Sequence, residues 1–101
     1  MGNAAKPPTC YLVEWYRPGV DEDQLVDISA GLALSSTSLT AEGSPVRCVY
    51  ALAVPADEVV FGIFEADSAD VVAQACRRAG RPPTRLSAAI ADRNGGPEIH
   101  K

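Results

Sequence analysis

The spacing of apolar residues along the chain switches between period two and a helical period, and the switches mark the elements. Over Thr9–Tyr16 the pattern alternates, with Tyr11, Val13 and Trp15 on one side and Cys10, Leu12, Glu14 and Tyr16 on the other, as in a strand. Arg17-Pro18-Gly19 breaks it. Asp21 with Gln24 three residues on approximates a capping box. Leu25, Ile28 and Leu32 then keep helical spacing, and Val26, Ala30 and Ala33 widen the stripe. Gly31 weakens this helix by about 1 kcal/mol relative to alanine. The serine- and threonine-rich run at 35–38 is a poor helix interior, so the helix is expected to fray there and give way to a loop over 39–44.

Alternation returns over 45–54, where Val46, Cys48, Tyr50, Leu52 and Val54 share one face and Arg47, Val49, Ala51 and Ala53 the other. Pro55–Asp57 is a short turn, and residues 58–65 are β-branched, aromatic and too few for a typical helix, so the two runs form a hairpin. Ala66 closes that strand. Asp67 is placed to cap the next helix, and Asp70 suits its positive end. Val71, Val72, Ala75, Cys76 and Ala79 form one apolar stripe, Arg77 and Arg78 suit the last turn, Gly80 is a left-handed stop and Pro82-Pro83 forbid continuation. Residues 85–93 alternate again, with Leu86, Ala88 and Ile90 opposed to Ser87 and Ala89.

The order is β-α-β-β-α-β, the ferredoxin-like α+β arrangement: two helices on one face of a four-stranded antiparallel sheet with expected strand order 4-1-3-2. It spans residues 9–93, and residues 1–8 and 94–101 have the composition of flexible tails. Every strand carries apolar groups on both sides, and a sheet apolar on both faces is normally covered on both. The expectation is a homodimer packed sheet to sheet, a dimeric α+β barrel.

Composition narrows the partners. The chain has 101 residues, 47% hydrophobic and 22% charged, enough for one core. Its net charge is −4 and the basic residues are scattered apart from Arg77, Arg78, Arg81 and Arg85, so nucleic acid is not an expected partner. That cluster reads as a solvated helix end, with an anion site as the alternative. Cys10, Cys48 and Cys76 make neither a disulfide framework nor a metal motif, and Cys48 and Cys76 fall on apolar faces. With no signal-like segment and no apolar run of roughly 20 residues, a cytoplasmic protein without membrane attachment is expected.

No catalytic constellation stands out. Glu14 lies in an apolar strand, either in an ion pair with Arg47 or Arg85 or as a carboxylate lining a cavity. Glu65 ends its strand, and the two carboxylates can meet across neighbouring strands to hold a hard cation or act as acid and base. Tyr16, Tyr50 and Trp15 suit a core or a dimer interface, or else a pocket for a planar ligand. Cys48 is a soft ligand or a nucleophile only with an activating base nearby. His100, the one histidine, sits in the tail. The candidate cavity lining is therefore Glu14, Tyr16, Cys48, Tyr50 and Glu65.

The segments Phe61-Gly-Ile-Phe-Glu-Ala66, Ala69-Asp-Val-Val-Ala-Gln-Ala-Cys-Arg-Arg-Ala-Gly80 and Pro83-Thr-Arg-Leu86, with Tyr11-Leu-Val-Glu14, resemble the DUF4242 family of small bacterial proteins, some described as nickel-binding or nickel-responsive. The likeness covers roughly residues 11–91. It implies a ferredoxin-like dimer and a divalent-metal site, nickel being the expected ion. Family members often carry His where this chain has Ala75, and imidazole is a preferred nickel ligand, so no metal ligand carries over. Three readings follow: a dimeric protein binding a small ligand or metal without catalysis; a cofactor-independent monooxygenase or isomerase using Glu14 and Tyr50 in a sheet cavity; and a regulatory module that binds another protein.

Overall fold

A computed structural model describes residues 9–90. The elements run β1 (Thr9–Tyr16), α1 (Glu22–Ala41), β2 (Val46–Val54), one 3-10 turn at Pro55–Asp57, β3 (Val59–Ala66), α2 (Ala69–Arg78) and β4 (Arg85–Ala89). The sheet is antiparallel with order β2-β3-β1-β4. The ferredoxin-like α+β fold and the expected strand order both hold. The two tails and positions 91–93 of the last expected strand lie outside the described residues.

Both helices begin and end on identifiable chemistry. Asp21 Oδ1 accepts from the Gln24 N–H at 2.8 Å while Gln24 Oε1 accepts from the Asp21 N–H at 3.1 Å, the reciprocal box that the spacing predicts. The cap of α2 is Ser68, whose hydroxyl accepts from the Val71 N–H at 3.3 Å, rather than Asp67. A side-chain oxygen reaches the third residue on, so the true start of the helix selects Ser68. At the other end Gly80 takes φ +76°, and the Gly80 and Arg81 N–H groups donate to the carbonyls of Arg77 and Cys76, a Schellman stop.

The serine run does not fray α1. The helix continues to Ala41 with Ser35 and Ser36 on its buried face, where the Ser35 hydroxyl donates to the Ala75 carbonyl of α2 at 2.8 Å and the Ser36 hydroxyl has no partner among the described residues. Leu39, also buried, anchors the last turn. Packing outweighs propensity here. Val26, Ala30 and Ala33, by contrast, are exposed and do not extend the buried stripe, which consists of Ile28, Leu32, Ser35, Ser36 and Leu39.

The core lies between the helices and one sheet face. Val13, Val60, Phe64, Val72, Ala75 and Cys76 are fully buried there. Gly62 matters for a steric reason: a Cβ built on it would stand 3.1 Å from both the Trp15 indole and the Phe64 ring. Glycine is what lets two large rings pack onto the same patch of sheet.

Strand β2 departs from simple alternation. Cys48 pairs with Phe64 but Tyr50 pairs with Ile63, so Val49 is an extra residue in the ladder. Before the bulge Val46 and Cys48 face the helices; after it Ala51 and Ala53 do, opposite Gly62 and Val60. Tyr50, Leu52 and Val54 therefore turn to the open face. The single shared face that the sequence predicts for these five residues is split by one inserted position.

Candidate functional site

The open face of the sheet is set by the pairing registers, which arrange it in rows across β2, β3, β1 and β4. The first row reads Arg47, Glu65, Cys10, Ala89; the second Tyr50, Ile63, Leu12, Ser87; the third Leu52, Phe61, Glu14, Arg85. Val54, Val59 and Tyr16 close the end of the face. Apolar side chains thus occupy its centre, and charges sit at two diagonal corners.

Each corner is an ion pair within the chain. Arg47 Nη2 lies 3.0 Å from Glu65 Oε1, and Arg85 Nε lies 3.7 Å from Glu14 Oε2. The carboxylates are the more buried partners, with side chains 12% exposed for Glu65 and 26% for Glu14, while the arginines reach outward. Of the two partners that the sequence offers Glu14, the fold selects Arg85. Glu14 and Glu65 do not meet. Glu65 lies opposite Cys10 and Glu14 opposite Phe61, so they stand four positions apart along β1, about 13 Å at strand rise. The shared-cation and acid–base readings of this pair fail on register.

The remaining candidates divide. Tyr16 is on the open face, 62% exposed, and its hydroxyl donates to Glu58 Oε1 at 2.9 Å. That hydrogen bond, with the negative charge of Glu58, holds the phenol proton and raises its pKa above the ordinary value. Tyr50 is exposed on the same face. Cys48 is not part of the face: its thiol points to the helix side against the core, and burial pushes its pKa up. Burial also pushes the Cys76 thiol up to about 12, with Cys48 adding to the shift. Neither thiol is an activated nucleophile, since the thiolate is the reactive form and no histidine lies among the described residues.

Among the described residues no group of three or more His, Cys, Asp or Glu side chains is placed to hold a metal ion, and His100 lies outside them. Also among them, no helix is long and apolar enough to cross a membrane. A groove of about 440 Å³ runs between α1 and the outer edge of β2, lined by Ser36, Thr37, Thr40, Val46, Arg47 and Cys48. The sequence gives no sign of it, because it depends on α1 continuing past the serines.

No family model matches the chain. No curated protein matches it. Among solved structures, the crystal structure of SCO4226 from Streptomyces coelicolor A3(2) superimposes with a TM-score of 0.72 at 19% sequence identity, covering 82% of this chain and 98% of that one. At that identity the likeness speaks for the ferredoxin-like α+β fold alone.

Proposed function

We propose that this chain is a small homodimeric binding protein of the DUF4242 type, without catalysis, in which a second copy covers the open sheet face. The observation that carries the reading is the charge arrangement on that face. Leu12, Phe61, Ile63, Tyr50 and Leu52 form a contiguous apolar centre, and both carboxylates beside it already face arginines of the same chain. Covering such a face strands no unpaired charge, the usual obstacle to burying a polar surface. The long arginine stems lie at the rim, where they can flatten onto a partner while their heads stay in water. A second copy is the occupant because its own face is equally apolar and equally neutral, the self-complementarity that a two-fold interface requires.

A cofactor-independent enzyme is the weaker reading. It needs Glu14 and Tyr50 to converge, yet they lie in different rows and two strands apart, with Glu14 held by Arg85. The nickel site implied by the family resemblance does not fit the residues present. Ala75 offers a fully buried methyl group, and the adjoining Cys76 thiol keeps its proton. The proposal therefore assigns no metal. A reducing cytoplasm suits the three free thiols.

Size-exclusion chromatography with light scattering tests the reading through Ile63→Glu, which puts a charge at the centre of the face. The wild-type chain is expected to elute as a dimer, and the variant as a monomer with unchanged circular dichroism. A wild-type monomer overturns the proposal.

A further inference from the structure

The arginines that cluster in the sequence are dispersed by the fold. Arg78 is clamped by Glu42 through two contacts of 2.7 Å, and Arg85 faces Glu14. Arg81 goes elsewhere. It follows the Gly80 stop of α2, on the same pocket as Arg17, which follows β1. The two line a pocket of about 150 Å³ whose other walls include Trp15, Ile28, Pro82 and Thr84. Among the described residues neither guanidinium has a hydrogen bond or an ion pair.

Two arginines far apart in sequence thus line one small pocket in a chain whose net charge is −4. The acidic side chains that clamp Arg78, Arg47 and Arg85 elsewhere are engaged with those arginines and leave these two without a counter-charge of their own. Glu58 accepts the Arg17 N–H through its backbone carbonyl at 2.7 Å while its carboxylate takes the Tyr16 hydroxyl. The backbone around the arginines is pinned by hydrogen bonds. Trp15 Nε1 donates to the Arg81 carbonyl at 2.8 Å, the Arg81 N–H closes the Schellman stop, and the Thr84 N–H donates to the Glu14 carbonyl at 2.9 Å. The Thr84 hydroxyl accepts from the Tyr16 N–H at 3.2 Å, which leaves its own proton to donate.

We infer that this pocket binds the oxyanion group of a small ligand, a phosphate or a carboxylate, between the guanidinium groups of Arg17 and Arg81 with Thr84 as a third donor. Planar guanidinium forks match the geometry of such oxygens. The pocket is about half the lower end of the roughly 300 Å³ typical for drug-sized ligands, so it takes one oxyanion group and a few further atoms. Trp15 and Ile28 supply an apolar wall for those atoms. The inference does not depend on the dimer.

Trp15 is the one tryptophan of the chain and forms part of the wall, so its fluorescence reports occupancy. The test titrates inorganic phosphate, and in parallel acetate, into the full chain with chloride holding ionic strength constant. A saturable change is expected, weakened about tenfold or more in Arg81→Gln and in Arg17→Gln and partly retained in Arg81→Lys, because each guanidinium supplies charge-assisted hydrogen bonds. Tighter phosphate assigns the group as a phosphate and tighter acetate as a carboxylate. No saturable change with either anion in the wild-type chain overturns the inference, as does equal binding by variants whose circular dichroism is native.

Discussion

The two faces of this sheet use the same kinds of residue to different ends. On the helix-covered face Val13, Val60 and Phe64 are fully buried, and Gly62 makes room for Trp15. On the other face Leu12, Phe61 and Ile63 remain half-buried and Tyr50 and Leu52 exposed, bounded by the pairs Arg47–Glu65 and Arg85–Glu14. The first is a finished core. The second has a core's composition at its centre and a surface's charges at its corners, already neutralised. An apolar alternation thus fixes which residues share a face, but not whether the chain's own helices or another molecule covers it.

Substitution of one phenylalanine on each face breaks this comparison most directly. Phe64→Ala should cost about 3–5 kcal/mol in urea unfolding, as truncation of a buried aromatic does. Phe61→Ala should leave the isolated chain within roughly 1 kcal/mol of wild type but weaken self-association; equal losses at both positions in dilute protein would erase the distinction. Gly62→Ala should cost about 1–3 kcal/mol by overpacking Trp15 and Phe64, with a changed Trp15 emission as its signature. A smaller effect, about 1 kcal/mol, is expected for Ser35→Ala, which removes the hydroxyl joining α1 to α2 and should lower amide protection in the last two turns of α1 first.

The smallest effect is alkaline. The Cys76 thiol is held protonated, its folded pKa raised from 9.0 to about 12. Its contribution is fully present below about 9, the value expected for the unfolded chain, and is lost as pH rises through about 12. The Tyr16 hydroxyl, whose proton Glu58 holds, works in the same direction. Unfolding midpoints should therefore fall on the alkaline side, and less so in Cys76→Ala; an identical fall in that variant would remove the thiol from the account.

Much of the fold is legible because it rests on local signals: the alternating strands, the Asp21–Gln24 box, the Gly80 stop and the element order that sets the sheet. The departures have a common cause. The helix through Ser35 is tied to α2 by a hydrogen bond across 40 positions, the Val49 bulge shows only in the pairing of β2 with β3, and neither partner is written in β2 or in the serine run itself. The site was less legible for the same reason. That Glu14 and Glu65 lie on neighbouring strands follows from topology, but that they miss each other follows from register. The pairing of Arg17 with Arg81 at one pocket joins residues far apart in sequence, and no spacing rule connects them.

A second copy covering the open face doubles the mass of the particle in solution. Sedimentation equilibrium of the full chain over a wide concentration range tests it most directly. A mass of twice 10.6 kDa is expected, falling to the single-chain value only on strong dilution. A mass of 10.6 kDa at every concentration, up to the highest at which the protein stays in solution, would contradict it.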